Sequence, residues 1–492
     1  MQKILISGLS GGSGKTIVSL GLSRFFTARN YSVYPFKKGP DYIDAAWLSE
    51  ASHKPCYCLD PFFMTEKELA EHFFKTLQTA PADSLAIIEG NRGLYDGKDY
   101  LGSCSTAQLA HALDCPVLLT VNCAKITRTT AALILGMQHF DPNLQFAGVI
   151  LNNTASSRHE TVIRKSIEEY TDIPVLGSIP RQRINPIPER HLGLCRNKKD
   201  DTETILNSLA QLVAEYTDTD KILAAMQRFE LPQHPVLTVK KQCDKPLHIA
   251  YLYDDAFWFY YQENFDALEK AGAACIALSL LSEKSFAEQL QAKHLTEQDI
   301  DGLYIGGGYP ELFAKQISTS PKLTRIKNWI ENNMPVYAEC GGFMLLAEKL
   351  HFPENGTYKT YPMTGIFPVE TKFFQTPQGL GYTEVRTLLP NPYHPRGNIW
   401  KGHEFHFSTA VNCSDKLEFF LELTKGHGMV QKENLSKEIS PKTSPEASSK
   451  ISYDGLLYKN CFASYTHLYA PAVPHFARNF IHAAQEYQKG KQ

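Results

Sequence analysis

The feature that most restricts this chain is a short glycine-rich stretch. Gly8-Leu9-Ser10-Gly11-Gly12-Ser13-Gly14-Lys15-Thr16 follows directly on the apolar run Ile4–Ser7 and opens a helical pattern over 15–29. A strand that feeds such a turn and then a helix is what a phosphate site needs. The glycines let backbone N–H groups turn inward, the helix N-terminus adds its dipole, Lys15 supplies a point charge, and the Thr16 hydroxyl can ligate magnesium. Gly11, Gly12, Ser13, Gly14, Lys15 and Thr16 are the candidate ATP-binding residues. Five residues separate Gly8 from Gly14, one more than in the ordinary GxxxxGK[ST] loop.

The surrounding pattern agrees with a parallel sheet. Ile4–Ser7, Ser32–Phe36, Leu85–Ile88, Val117–Val121 and Phe146–Leu151 read as buried strands, with helices near 15–29, 65–78, 105–113, 127–139 and 159–170. Short apolar runs alternating with helical periodicity predict an α/β fold with helices on both faces. Prolines and a polar stretch punctuate 181–245, where one or two helices fall within 203–228. A second alternating block begins at Leu247–Tyr253, with a helix at 262–271, strands at 274–278, 302–305 and 335–338, and helices at 321–332 and 342–350. Residues 428–451 are rich in Ser, Lys, Glu and Pro, and read as a mobile insertion with too little apolar area to offset ordering entropy.

Composition excludes several classes. The 492 residues suggest two or three domains. Fifty Lys and Arg against 52 Asp and Glu leave a net charge of −2, so bulk charge gives no support for a nucleic-acid binder. No run approaches the roughly 18 apolar residues of a membrane span. With Ile4-Leu5-Ile6 already reading as a core strand, no signal peptide is expected, and the eleven cysteines read as reduced thiols of a cytoplasmic protein. Cys56 and Cys58 lack the second pair that a zinc site requires.

Two acids follow the loop at strand ends. Asp41, in Lys37-Lys38-Gly39-Pro40-Asp41-Tyr42-Ile43-Asp44, follows the second strand, and Glu89 ends the third. Carboxylates there can hold Mg²⁺ with Thr16, directly or through water. Lys37 can reach the γ-phosphate or an anionic substrate, and Asn152, at the end of the fifth strand, can read an adenine edge.

The second block carries a different chemistry. Pro335–Glu339 reads as a strand, Cys340 falls on a sharp turn, and Gly341-Gly342-Phe343-Met344 opens a helix. A nucleophile on such an elbow is exposed, and a helix dipole favours its thiolate. The Gly306, Gly307 and Gly308 amides, after another strand, can form an oxyanion hole. A base is needed, and two regions offer one: Gly402-His403-Glu404-Phe405-His406 and Ser464-Tyr465-Thr466-His467.

These motifs carry a resemblance. The second half resembles a class I, flavodoxin-like glutamine amidotransferase domain, and the first half the dethiobiotin-synthetase-like branch of P-loop proteins. The combination resembles the cobyrinic acid a,c-diamide synthase family. It rests on PFKKGPDYIDAAW at 35–47, EGNRGLYDG at 89–97, ERHLGL at 189–194, DDAFWFYY at 254–261 and DGLYIGGGYPEL at 301–312. ECGG at 339–342, GLGY at 379–382, GHEFHFS at 402–408 and ASYTH at 463–467 complete it, in family order. The implied division is a P-loop domain over 1–194, a connector with helix over 195–245, and an amidotransferase domain over 246–492.

The resemblance implies Cys340 as the nucleophile and His467, in preference to His403, as its base. It implies ATP and Mg²⁺ as cofactors and glutamine and an anionic corrinoid as partners, with the a and c acetate carboxylates amidated through acyl phosphates. Hydrogenobyrinic acid or nickel-sirohydrochlorin are the alternative macrocycles, and a non-catalytic P-loop ATPase with a degenerate amidotransferase domain is the alternative from another class. Neither nucleic acid nor membrane is implied, and a homodimer stays open. The substrate rim is expected at Tyr95, Asp96, Arg190, His191, Tyr260 and His403. One departure stands out: class I sites place Glu two residues after the histidine, and here that position is Tyr469, which leaves the third member of the triad unassigned.

Overall fold

The computed structural model describes residues 1–182, 199–232, 246–413, 417–431 and 451–491. The chain divides into two compact units, Met1–Val236 and Leu237–Gln492.

The first unit holds strands β1 (Gln2–Gly8), β2 (Val33–Lys37), β3 (Tyr57–Cys58), β4 (Leu85–Glu89), β5 (Val117–Asn122), β6 (Phe146–Thr154), β7 (Val175–Pro180) and β8 (Gln227–Arg228). Their order is β3-β2-β4-β1-β5-β6-β7, and β8 pairs antiparallel with β1. The seven in line are parallel. Ile4, Leu5 and Ile6 of β1 are fully buried, as both faces of a parallel sheet require. β1 lies between β4 and β5, so the glycine loop opens at their shared C-terminal edge. The β2–β4 register sets Lys37 beside Glu89 there.

One feature of this unit differs from the sequence reading. Tyr42–Ser52 is a helix in a stretch for which the sequence pattern predicted no element, and Asp41 caps it by accepting the N–H groups of Ile43 and Asp44, both at 3.0 Å. Residues 195–245 were expected to form a connector with helix, and the helices Lys199–Tyr216 and Thr219–Ala225 pack within this unit. Leu206 and Leu209 bury against Leu20, Leu48 and Ala51. The approach to the helix Lys15–Ala28 is close: a Cβ on Gly21 would come within 2.4 Å of Val213.

The second unit begins with β9 (Leu247–Leu252), β10 (Ala273–Leu278), β11 (Ile300–Ile305) and β12 (Val336–Glu339). Next come β13 (Ala347–Glu354), β14 (Thr357–Pro362), β15 (Phe367–Phe373), β16 (Gly379–Thr387), β17 (Ile399–His406) and β18 (Ser408–Val411). The last are β19 (Leu421–Lys425), β20 (Val430–Gln431), β21 (Ser452–Asp454), β22 (Leu456–Tyr458), β23 (Cys461–Ser464) and β24 (His467–Leu468). The central sheet runs β10-β9-β11-β12-β23-β22, parallel except at β22. Two further sheets follow the orders β14-β13-β15-β18 and β20-β21-β19-β16-β17-β24.

The helix read over 342–350 stops at Leu346, and Ala347 starts β13. Residues 341–347 are all buried, and a continuous apolar run carries no period to mark the change. Most of 428–451 lies outside the described residues, but its two ends meet, Val430 pairing with Tyr453 and Gln431 with Ser452. Among the described residues no helix is long and apolar enough to cross a membrane.

Candidate functional site

The phosphate loop is held from within and from below. Ser13 Oγ donates to the Ser10 carbonyl at 2.9 Å and accepts the Ser10 N–H at 3.2 Å. Asn152, on β6, donates Nδ2 to the Ser13 carbonyl at 3.1 Å, and its Oδ1 accepts the Asn153 N–H at 3.0 Å. Gly14 stands at φ +99°, and a Cβ there would come within 2.2 Å of the Asn152 amide nitrogen. Asn152 therefore braces the loop, with one contact at each end of its amide. Lys15 folds back, donating to the carbonyls of Ser10 at 3.0 Å and Arg92 at 2.6 Å. Burial lowers its pKa, and the neighbouring Lys37 lowers it further.

A buried charge cluster lies at the loop's end. Thr16 Oγ1 donates to Glu89 Oε1 at 2.8 Å. Lys37 Nζ donates to the same oxygen at 3.0 Å and to Asp44 Oδ2 at 2.8 Å. Burial opposes the charge on Lys37, but Asp44 and Glu89 outweigh it and its pKa is raised. Burial raises the Glu89 pKa, with Lys37 as the main opposing influence. Glu89 Oε2 is buried without a partner. An orphaned carboxylate oxygen beside a threonine hydroxyl fits a Mg²⁺ ion carried on nucleotide phosphates. The cluster also revises the roles expected nearby. Lys37 is bound to Glu89 and to Asp44, the second of which was no candidate from the sequence, and Asp41 caps the helix Tyr42–Ser52.

Two expected rim residues instead hold their own loop in place. Tyr95 donates to the Met137 carbonyl at 3.0 Å, with its ring on Phe140, and Asp96 accepts the Gly93 N–H at 2.9 Å. Leu94 N–H reaches the Gly8 carbonyl at 2.8 Å, fastening this segment to the end of β1. Arg190 and His191 lie outside the described residues.

In the second unit Cys340 sits at φ 49° and ψ −100°, a strained elbow between β12 and the helix Gly341–Leu346. Its N–H is fixed to the Ser464 carbonyl at 2.7 Å. The thiol is buried, and burial, followed by nearby Glu311, pushes its pKa well up. Burial therefore works against the thiolate that the helix dipole was expected to favour. A buried thiol of this kind needs a base.

Pairing between β17 and β24 places His403 opposite His467. The rings stack with centroids 4.8 Å apart at 14°. Burial drives the His403 pKa well down, and Tyr261 Oη lies 3.2 Å from its Nδ1. His403 thus packs within the histidine cluster rather than on a macrocycle rim. His467 Nδ1 lies 3.6 Å from Glu339 Oε2.

The three glycines have separate roles. Gly306 N–H donates to Tyr260 Oη at 2.8 Å, so it is already engaged. A Cβ at Gly307 would come within 2.5 Å of the His467 ring, so this glycine makes room for the histidine. Gly308, at φ +154°, packs on the Ala256 carbonyl, where a Cβ would come within 2.1 Å. The Gly308 nitrogen also lies beside Gly341, 3.1 Å from where a Cβ of that residue would stand.

The aromatic stretch 254–261 explains this arrangement. Trp258 and Phe259 N–H groups both reach the Gly307 carbonyl, and Tyr309 N–H reaches the Ala256 carbonyl. Tyr260 donates to the Leu252 carbonyl at 2.6 Å. These residues are the brace of the glycine turn, which corrects the placement of Tyr260 on the substrate rim.

Asp454 was missed in the sequence. Fully buried, it accepts the N–H groups of Gly455, Tyr465 and Thr466 and the Thr466 hydroxyl, so it shapes the segment leading into His467. Its signal is weak, because one Asp beside a Gly reads as an ordinary turn.

Comparison with known proteins agrees with this division. Residues 4–194 match the CobQ/CobB/MinD/ParA nucleotide binding domain, and 248–473 match the CobB/CobQ-like glutamine amidotransferase domain. The cobyrinate a,c-diamide synthase of Magnetococcus marinus is 35% identical, the match covering 97% of this chain and 96% of that protein. Those of Methanosarcina barkeri and Archaeoglobus fulgidus are 35% and 34% identical, covering 100% and 99% of this chain and 97% and 98% of theirs. With two catalytic-type units in family order and full-length identity at this level, the chain belongs to the cobyrinate a,c-diamide synthase family, enzymes that form C–N bonds with glutamine as amido donor.

Proposed function

We propose that this chain converts the a and c acetate carboxylates of cobyrinic acid to amides, using ATP and glutamine. The observation that carries this reading is the presence in one chain of the Thr16–Glu89–Lys37 cluster under a phosphate loop and of a buried elbow cysteine whose N–H is held by Ser464, three residues before His467 of a stacked histidine pair. The names of the full-length relatives support the choice of substrate.

A carboxylate does not accept ammonia in water, because oxide is a poor leaving group. Transfer of the γ-phosphoryl group makes an acyl phosphate, whose phosphate then leaves. Backbone N–H groups of 11–16 cradle the phosphates, and Lys15 exchanges its two carbonyl partners for phosphate oxygens. Thr16 and Glu89 would hold Mg²⁺, which when bound neutralises charge as the phosphoryl group moves. Lys37 keeps Glu89 and Asp44 oriented.

At the thiol, Cys340 attacks the amide carbon of glutamine while His467 takes the S–H proton. The Gly308 and Gly341 N–H groups stabilise the oxyanion, and the proton passes to the leaving ammonia. A γ-glutamyl thioester remains and is hydrolysed by water.

The reading is tested by incubating the protein with ATP, Mg²⁺, glutamine and a panel of cobyrinic acid, hydrogenobyrinic acid and nickel-sirohydrochlorin. Each amidation replaces OH by NH₂ and lowers the mass by about one unit. Two such losses on cobyrinic acid support it, whereas turnover of another macrocycle in preference reassigns the substrate.

A further inference from the structure

Class I chemistry needs an acid that fixes the tautomer and orientation of the catalytic histidine. Tyr469 stands where that acid is ordinarily placed, and its hydroxyl is directed to Glu263 at 3.4 Å. The acid that faces His467 comes from the other side of the site. Glu339 is the last residue of β12, immediately before the nucleophile. Its Oε2 lies 3.6 Å from His467 Nδ1, an ion-pair contact that a shift of under about 1 Å turns into a hydrogen bond. Catalytic hydrogen bonds are often this long before substrate binds.

The placement is built rather than incidental. Glu339 Oε1 accepts the Tyr304 hydroxyl at 3.2 Å and the Leu468 N–H at 3.1 Å. Tyr304 Oη accepts Asn264 Nδ2 at 2.9 Å, and Asn264 also binds the Leu468 carbonyl at 2.9 Å and the Ala470 N–H at 2.7 Å. One network thus fixes the carboxylate and the strand that bears the histidine. The opposite side of the imidazole is limited by His403 and by the space that Gly307 leaves. With Nδ1 toward Glu339, Nε2 is the nitrogen left for the thiol.

We propose that Glu339 is the positioning residue for His467 and completes a Cys340–His467–Glu339 triad whose acid and nucleophile are consecutive in the chain. It holds His467 with Nδ1–H toward the carboxylate. Nε2 accepts the Cys340 proton as the sulfur–carbon bond forms, and the imidazolium that results is stabilised by Glu339 until the proton goes to ammonia. This assignment rests on the glutaminase reading above.

The test uses Glu339→Gln in the full chain. Glutamine can still accept from Tyr304 and Leu468 through its carbonyl, but it lacks the charge. Expected is a fall in kcat for glutamine hydrolysis of at least about 100-fold with KM for glutamine nearly unchanged. Synthesis with added ammonium salt reports whether the variant has folded.

A second readout is the rate of Cys340 alkylation by iodoacetamide against pH, followed by mass spectrometry. The titratable groups around the pair are His403 beside His467, Tyr304 beside Glu339, and Glu311 and Asp454 near Cys340. All are unchanged in the variant. Glu339 also repels the thiolate directly, so loss of its charge by that effect alone lowers the pH at which alkylation sets in. The triad requires the opposite, an upward shift from lost support of the imidazolium, and a downward shift overturns it. Tyr304→Phe, which removes one brace and keeps the carboxylate, leaves that onset close to wild type.

Wild-type kcat in Glu339→Gln, or an alkylation profile that does not move, overturns the assignment. If Cys340→Ala still hydrolyses glutamine, the glutaminase reading itself fails, a result distinct from failure of the Glu339 role alone.

Discussion

The amide of Asn152 occupies the space that a side chain on Gly14 would need, 2.2 Å from the position of its Cβ, while donating to the Ser13 carbonyl. The loop conformation is thus set by a residue far away in sequence. Asn152→Ala removes two hydrogen bonds, of which the one to the loop is worth about 1–1.5 kcal/mol, and weakens nucleotide binding roughly tenfold. ATP and GTP should weaken alike in a calorimetric titration, because Asn152 supports the loop and not the base. Loss of discrimination between them would favour the adenine-contact reading. Gly14→Ala, with its overlap and its left-handed φ, should cost at least about 100-fold in the same titration.

Cys340→Ala should abolish glutamine-dependent amidation and keep synthesis with ammonium salt. Both are read from the macrocycle mass. Failure of ammonia to rescue the variant argues against independent sites for the two half-reactions.

Glu89 joins Thr16 and Lys37 in one cluster. Glu89→Gln keeps its size, loses the charge, and leaves Lys37 with Asp44 alone. ATP-dependent synthesis should fall at least about 100-fold, since charge stabilisation in phosphoryl transfer is large. Glutamine hydrolysis by the second unit should persist. Unchanged synthesis across a Mg²⁺ titration would remove Glu89 from the proposed metal site.

How far the sequence could be read depended on distance along the chain. The phosphate loop and the Cys340 elbow were legible because glycine spacing and strand–turn–helix order are local. Glu339 was in plain view within ECGG, yet its role needs His467 beside it, which only the β12–β23–β24 arrangement supplies. Asn152 and Asp454 were opaque for the same reason. Tyr260, within the aromatic run 257–261, was expected at the substrate rim, but backbone hydrogen bonds from Trp258 and Phe259 to Gly307 tie this run to the glycine turn, and composition carries no trace of that. The helix Tyr42–Ser52 was hidden because its start, GPDYID, reads equally well as a ligand loop.

Tyr260 accepts the Gly306 N–H and donates to the Leu252 carbonyl. Tyr260→Phe leaves a buried N–H and a carbonyl without this partner, at about 1–3 kcal/mol. The second unit should melt several degrees lower, and glutaminase kcat should drop through movement of the glycine turn. KM for the macrocycle should not change. A selective rise in that KM would instead place Tyr260 at the substrate.

Glu404 gives the second unit a sensitivity to acid. Burial opposes its ionisation, but contacts from His406, His427 and the Gly428 N–H outweigh this and bring its pKa down to about 2. A carboxyl depressed from its ordinary value of 4.5 contributes stability that is fully present above that value and is lost as pH falls toward about 2. The contribution is about 3 kcal/mol. Thermal melts between pH 6 and 3 should show a smaller acid-induced loss for Glu404→Gln than for wild type. Parallel curves would contradict this.

The pairing of β12 with β23 also has a consequence in time. The thiol and its histidine lie far apart along the chain, and the strands that carry the histidine segment pair with partners made much earlier, β23 with β12 and β24 with β17. Closing so long a loop is a late event, and synthesis proceeds from the N-terminus. A ribosome-bound chain that has just exposed Cys340 therefore still lacks His467, the base of the proposed glutaminase site. The strands of the first unit, β1 to β8, have all been made before Cys340 leaves the ribosome.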